Sequence, residues 1–168
     1  MICSSVNLFF TSNLLSSGLD STVSRYSNPG GRRYHGECPS ISGRSSLTYA
    51  IGRHQETQEL HLRIVENSGK GMWFDGWAPA TAIDAIVKGA SELTAKSFHV
   101  LHPGKSINTG GFVMAVLKDL GLIRANEENT RLHEHMPATT FEKVAMARMG
   151  QVIEAPAPKA GRRKSKGG

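Results

Sequence analysis

From Leu47 onward, apolar and polar residues alternate. Leu47, Tyr49 and Ile51 are separated by Thr48 and Ala50, and Leu60, Leu62 and Ile64 by His61 and Arg63. Successive side chains on a strand point to opposite faces, so this period of two predicts two strands, each with one buried face. The polar stretch 54–59 turns the chain between them. Asn67-Ser68-Gly69-Lys70-Gly71 is rich in residues that accept a positive φ, which predicts a hairpin turn. A third strand is expected over 72–77, with Trp73, Asp75 and Trp77 on one side, to complete an antiparallel meander.

Beyond the meander the period lengthens. Pro79 suits the first turn of a helix, where its missing N–H has no intrahelical partner. Ile83, Ile86, Val87, Ala90 and Leu93 then recur at helical spacing, so one face packs on the sheet. Residues 97–101 read as a fourth strand, broken by Pro103-Gly104. Asn108 or Thr109 is placed to cap a second helix, whose stripe is Phe112, Val113, Val116, Leu117 and Leu120. Gly121 suits the left-handed position after that helix, with Leu122 folding back on Leu117. A short strand (122–125), a polar turn (126–130) and a return strand (131–136) follow. A third helix starts at Thr139, where Thr139-Thr140-Phe141-Glu142 fits a capping box.

These elements predict an α+β fold: a three- to four-stranded antiparallel sheet with helices on one face, then a helix–hairpin–helix extension. Residues 47–150 form the single domain. Residues 1–46 are Ser/Gly-rich and lack sustained periodicity, so they are expected to be mostly disordered. Residues 151–168 read as a Pro/Ala spacer with a basic, disordered tail. The length of 168 residues suits one domain.

Charge changes the picture only at the ends. The net charge is +6, but residues 47–150 hold equal numbers of acidic and basic residues. Residues 1–46 contribute +2 and residues 151–168 contribute +4, through Lys159, Arg162, Arg163, Lys164 and Lys166. Basicity therefore describes tails rather than a folded face. No run approaches the roughly 18 apolar residues that cross a bilayer, so no membrane partner is expected. Two cysteines, Cys3 and Cys38, give no disulfide framework, and reduced thiols in the cytoplasm are the simpler expectation. The Ser-rich, acid-poor N-terminal segment also has the composition of an organelle transit segment in a eukaryote.

The order of helix, Leu120-Gly121-Leu122-Ile123 and hairpin resembles the recognition helix and wing of winged-helix proteins. That resemblance covers under about thirty residues. It implies a helix in the major groove and a wing on the backbone, with Lys105, Lys118, Arg124 and Arg131 as the folded cations available to phosphates. The outward positions Thr109, Gly110, Met114, Lys118 and Asp119 carry none of the Arg, Asn or Gln side chains that make bidentate base contacts.

Other motifs fall short. Gly104-Lys105-Ser106 matches the end of a P-loop, but His99 stands where its first glycine is required. Ser16-Ser17-Gly18-Leu19-Asp20-Ser21 resembles the signature of PP-loop ATP pyrophosphatases. Ser17 replaces a glycine there, and no βαβ series follows. His99, His102, His133 and His135 could supply imidazoles, yet zinc sites usually recruit cysteine, and no metal or cofactor is expected. No nucleophile with a base and an orienting acid is apparent. The expectation is a non-enzymatic binding or accessory protein. Its partner is either nucleic acid, held by the basic tail and hairpin, or another protein, held as by an adaptor or inhibitor on an aromatic face of Trp73, Asp75 and Trp77. A phosphate-binding enzyme is a third and weaker reading.

Overall fold

A computed structural model describes residues 26–27 and 33–153. Strands β2 (Tyr34–Pro39), β3 (Ser46–His54) and β4 (Leu60–Asn67) form an antiparallel meander. The two-residue β1 (Tyr26–Ser27) lies beside the far end of β3, and β5 (Ala78–Pro79) pairs with His61 and Leu62 of β4. Helix α1 (Ala80–Gly89), a 3-10 segment (Ser97–Leu101) and helix α2 (Asn108–Asp119) follow. The hairpin β6 (Ile123–Ala125) and β7 (His133–His135) leads into α3 (Phe141–Ile153). Among the described residues this is an α+β architecture of an antiparallel sheet and three α-helices. No helix among the described residues is long and apolar enough to cross a membrane.

The alternation at Leu47–Ile51 and Leu60–Ile64 does build β3 and β4, and its apolar set lies on the core side. Leu47, Tyr49, Ile51, Leu60, Leu62 and Ile64 meet Ile83 and Val87 of α1 and Val113, Val116 and Leu117 of α2 in one hydrophobic cluster. Burying each such aliphatic side chain contributes about 1.5–3 kcal/mol. Leu93, Phe98, Leu122, Phe141 and Ala145 extend the same cluster to the rest of the chain.

Four expectations are corrected. Residues 72–77 are irregular rather than a strand, and only Ala78–Pro79 pairs with β4. The Asn67 side chain holds the backbone at Gly69 and Gly71, turning the chain away from β4 before a hairpin can form. Residues 97–101 are a 3-10 helix rather than a strand. β2 lies inside the segment expected to lack structure; its inward residues Tyr34, Gly36 and Cys38 include only two with apolar bulk, too few to show as a periodic signal. Neither Asn108 nor Thr109 caps α2: Ile107 is the N-cap and makes no side-chain cap bond. The Thr109 hydroxyl accepts the Phe74 N–H instead (2.9 Å).

Helix α2 sits at the centre. Seven of its twelve residues are buried, because it packs on the sheet with one side and on the 3-10 segment with another. The second contact is tight: a Cβ on Gly110 would stand 2.3 Å from the Ala95 carbonyl oxygen. The helix ends in a Schellman motif as expected, with Gly121 at φ +81°. The Gly121 N–H donates to the Lys118 carbonyl (3.1 Å) and the Leu122 N–H to the Leu117 carbonyl (2.9 Å). Leu93 exchanges both backbone hydrogen bonds with His133, so the β6–β7 hairpin has a one-residue third partner.

Candidate functional site

The cations singled out in the sequence do not converge. Lys105 precedes α2 and Lys118 lies in its last turn, so the two stand at opposite ends of the helix. Arg124 of β6 is paired with Glu134 of β7. Arg131 is exposed in the turn, which Glu127 and Glu128 share. The hairpin 123–135 thus carries two cations against three carboxylates. The α2 surface that would face a groove is covered by the sheet and the 3-10 segment. Lys159, Arg162, Arg163, Lys164 and Lys166 lie outside the described residues, as does the Ser16–Ser21 motif.

The aromatic segment does not present one face. Trp73 is half-buried against the core cluster. Trp77 lies on the opposite face of the sheet, where the Arg63 guanidinium stands 5.4 Å and that of Arg33 5.9 Å from its ring. Both indole nitrogens are shut off from solvent. Asp75 is exposed between them. The residues that do face outward here are Met72, 79 % exposed, and Ile107, 66 % exposed. The two segments are joined, because the Ser106 hydroxyl and the Asn108 side-chain amide both donate to the Met72 carbonyl, at 2.6 and 3.2 Å. The Phe74 ring is half-buried, edge-on to His102 at 5.1 Å, with the Lys105 ammonium 4.9 Å from its centre. Val100, 65 % exposed, lies in the neighbouring 3-10 segment. Apolar surface and cation therefore meet at the N-terminal end of α2.

At the other end of α2 the polar groups face inward. Asp119 Oδ2 accepts from the Arg148 guanidinium of α3 (2.7 Å) and from the buried Tyr49 hydroxyl of β3 (3.4 Å). A carboxylate is unfavourable at a helix C-terminus, and Arg148 offsets that. Cys38, on β2 beside this cluster, is buried; burial and the Asp119 charge push its thiol up to about 12. Protonated at neutral pH, it is a poor nucleophile. The Tyr49 phenol is also pushed up by burial. The cluster does structural work, joining sheet, α2 and α3.

The histidines are dispersed. His135 is bonded to Thr139, and His102 is buried against Phe74. His133 is 2 % exposed with neither ring nitrogen hydrogen-bonded. Burial, and then the Lys118 charge, hold its imidazole below the usual histidine range. Among the described residues no group of three or more His, Cys, Asp or Glu side chains is gathered for a metal. A cavity of about 280 Å³ opens between the turn at Thr57–Glu59 and the starts of α1 and α3. Two of its carboxylates are spent on helix ends: Glu59 accepts the Thr81 N–H and Asp84 the Phe141 N–H, both at 2.8 Å.

Local sequence signals missed the outward apolar pair. The strand expected over 72–77 includes Met72, and Ile107 lies outside every periodic stripe; that second fact is the signal that points to it. The Asp119 cluster had no local signal, since its members are 70 and 29 residues apart. No family model, curated protein or solved structure matches the chain.

Proposed function

We propose that the protein is a non-enzymatic binding module, an adaptor or accessory subunit that takes a segment of another protein on the Met72–Phe74–Ile107 surface. The exposure of Met72 and of Ile107, on two segments joined by the hydrogen bonds of Ser106 and Asn108 to the Met72 carbonyl, carries this reading. Large adjoining apolar side chains left in water at one spot mark contact surfaces more often than scattered single ones do. Lys105 beside Phe74, and Lys70 two residues before Met72, favour an apolar partner segment with an acidic residue next to it. This replaces the Trp73–Trp77 face by its outward neighbours in the same segment.

The order α1, Leu93 bridge, 3-10 segment, α2, β6, β7 supports a winged-helix-like reading of residues 80–135, used here as a scaffold. A helix covered by a sheet cannot also lie in a major groove. The test is affinity capture by the full chain after nuclease treatment. The variant M72S/I107S should lose the species that the native chain holds and keep its melting temperature. Retention of that species by the variant overturns the reading.

The five cations at 159–166 support a second reading, weak nucleic-acid association by the tail. Such binding is sequence-independent and falls steeply with salt. Fluorescence anisotropy with duplex and single-stranded probes at two salt concentrations decides it. Removal of residues 159–168 should flatten the salt slope, and the fourfold alanine variant of Lys105, Lys118, Arg124 and Arg131 should change little. Absence of salt-sensitive binding by the full chain removes this reading.

A further inference from the structure

β2 is the edge of its sheet. One side pairs with β3 in the register His35↔Ala50, Gly36↔Tyr49, Glu37↔Thr48, and among the described residues no strand pairs with the other side. The direction of its free backbone groups follows from Ser46. The Ser46 N–H donates to the Ser68 hydroxyl (2.8 Å) and its carbonyl accepts the Ser68 N–H (2.9 Å), both on the β4 side of β3. Along an antiparallel ladder, residues alternate between exchanging both bonds with the partner opposite and turning both away. Ser46 turns away from its partner Pro39, so Pro39↔Ser46, Glu37↔Thr48 and His35↔Ala50 are pairs of the second kind. The N–H and C=O groups of His35 and Glu37 therefore point out of the sheet edge. Their side chains are both exposed, on the face opposite the core.

We propose that this edge pairs with β2 of a second copy, antiparallel and centred on Gly36, so that the two sheets become one. The register follows from parity and charge. Outward backbone groups occur at odd positions only, so odd residues must face odd residues and a two-fold axis passes through a residue; at Tyr34 or Cys38 it overlaps at most three residues of β2, which leaves His35, Gly36 and Glu37 to compare. An axis at Glu37 opposes two carboxylates. At His35 it opposes two imidazoles and overlaps only three residues of β2. At Gly36 it sets His35 against Glu37 of the second copy and Glu37 against His35, overlaps five residues, and has no side chain on the axis. Charged edge residues commonly guard a strand against pairing. Here the imidazole and the carboxylate sit two residues apart, which makes the edge complementary to itself, as an isologous interface requires.

Sedimentation equilibrium of the full chain tests this, with His35→Glu, Glu37→His and the double exchange H35E/E37H. Circular dichroism confirms folding of each variant. The native chain should dimerise. Each single substitution turns two cross-strand pairs repulsive or removes their attraction at once, and should weaken the dimer about tenfold. The double exchange restores both pairs and should return the dissociation constant to within about threefold of native, on the same pair energies. A monomer at every concentration overturns the proposal. If the His35 and Glu37 amides of that monomer resist hydrogen exchange, a segment of the same chain covers the edge instead. A dimer indifferent to the single substitutions, or one the double exchange fails to restore, also overturns it.

Discussion

The two ends of α2 differ in what their polar and apolar groups meet. At the C-terminal end the main polar and apolar groups meet partners inside the molecule. The Schellman bonds at Gly121 and Leu122 satisfy the last carbonyls, Asp119 joins Arg148 and Tyr49, and Leu117 and Leu122 are buried. At the N-terminal end no side chain caps the helix. Ser106 and Asn108 reach across to the Met72 carbonyl, and Met72 and Ile107, on the two segments so joined, face water. One end is a junction of three elements. The other is held in shape yet leaves apolar surface uncovered, the combination expected of a contact site.

Substitutions can break this contrast, and the largest effect belongs at the junction. Leu117→Ala should cost about 2–5 kcal/mol in chemical denaturation, while Lys118→Ala next to it stays within about 0.5 kcal/mol. Gly110→Ala should cost roughly 1–3 kcal/mol, because the added Cβ meets backbone at Ala95. Asp119→Ala removes an acceptor of the buried Tyr49 hydroxyl and the carboxylate partner of Arg148, and should cost about 1–3 kcal/mol by the same measurement. A loss at Gly110 or Asp119 below about 0.5 kcal/mol, the surface range, would show the helix less tightly held than described.

A smaller effect concerns pH. Burial lowers His133, and also His61 and His102, from the ordinary value of 6.5, so the fold prefers their neutral forms. Their contribution to stability is full above pH 6.5 and drains away as pH falls below it, since the unfolded chain takes up the protons first. The melting temperature should therefore fall on acidification below pH 6.5. His133→Leu removes two buried ring nitrogens that have no partner, so the variant should melt no lower than the native chain at pH 7.5 and fall less steeply in acid. A steeper acid fall in the variant contradicts this. The smallest effect on stability belongs to M72S/I107S, within about 0.5 kcal/mol, as for other exposed positions.

How legible each region was in the sequence follows the reach of its contacts. β3, β4, α1 and the end of α2 were readable because alternation, helical spacing and a C-terminal glycine act over fewer than ten residues. β2 was not, since its inward positions are Tyr34, Gly36 and Cys38 and its pairing comes from β3. Residues 72–77 have strand composition, but tertiary contacts override it: Phe74 donates its N–H to Thr109 and the Met72 carbonyl accepts from Asn108, both on α2. The same long-range contacts leave Met72 outward and Trp73 half-buried, an arrangement that strand alternation does not encode.

The most direct measurement places a photo-reactive residue at position 107 or at position 118 of the full chain and irradiates in the native host. Both positions are exposed and lie at opposite ends of one helix. A discrete protein adduct should form from position 107, vanish when Met72 is changed to Ser, and be absent from position 118. Equal adducts from both positions, or an adduct from position 118 alone, would contradict the account.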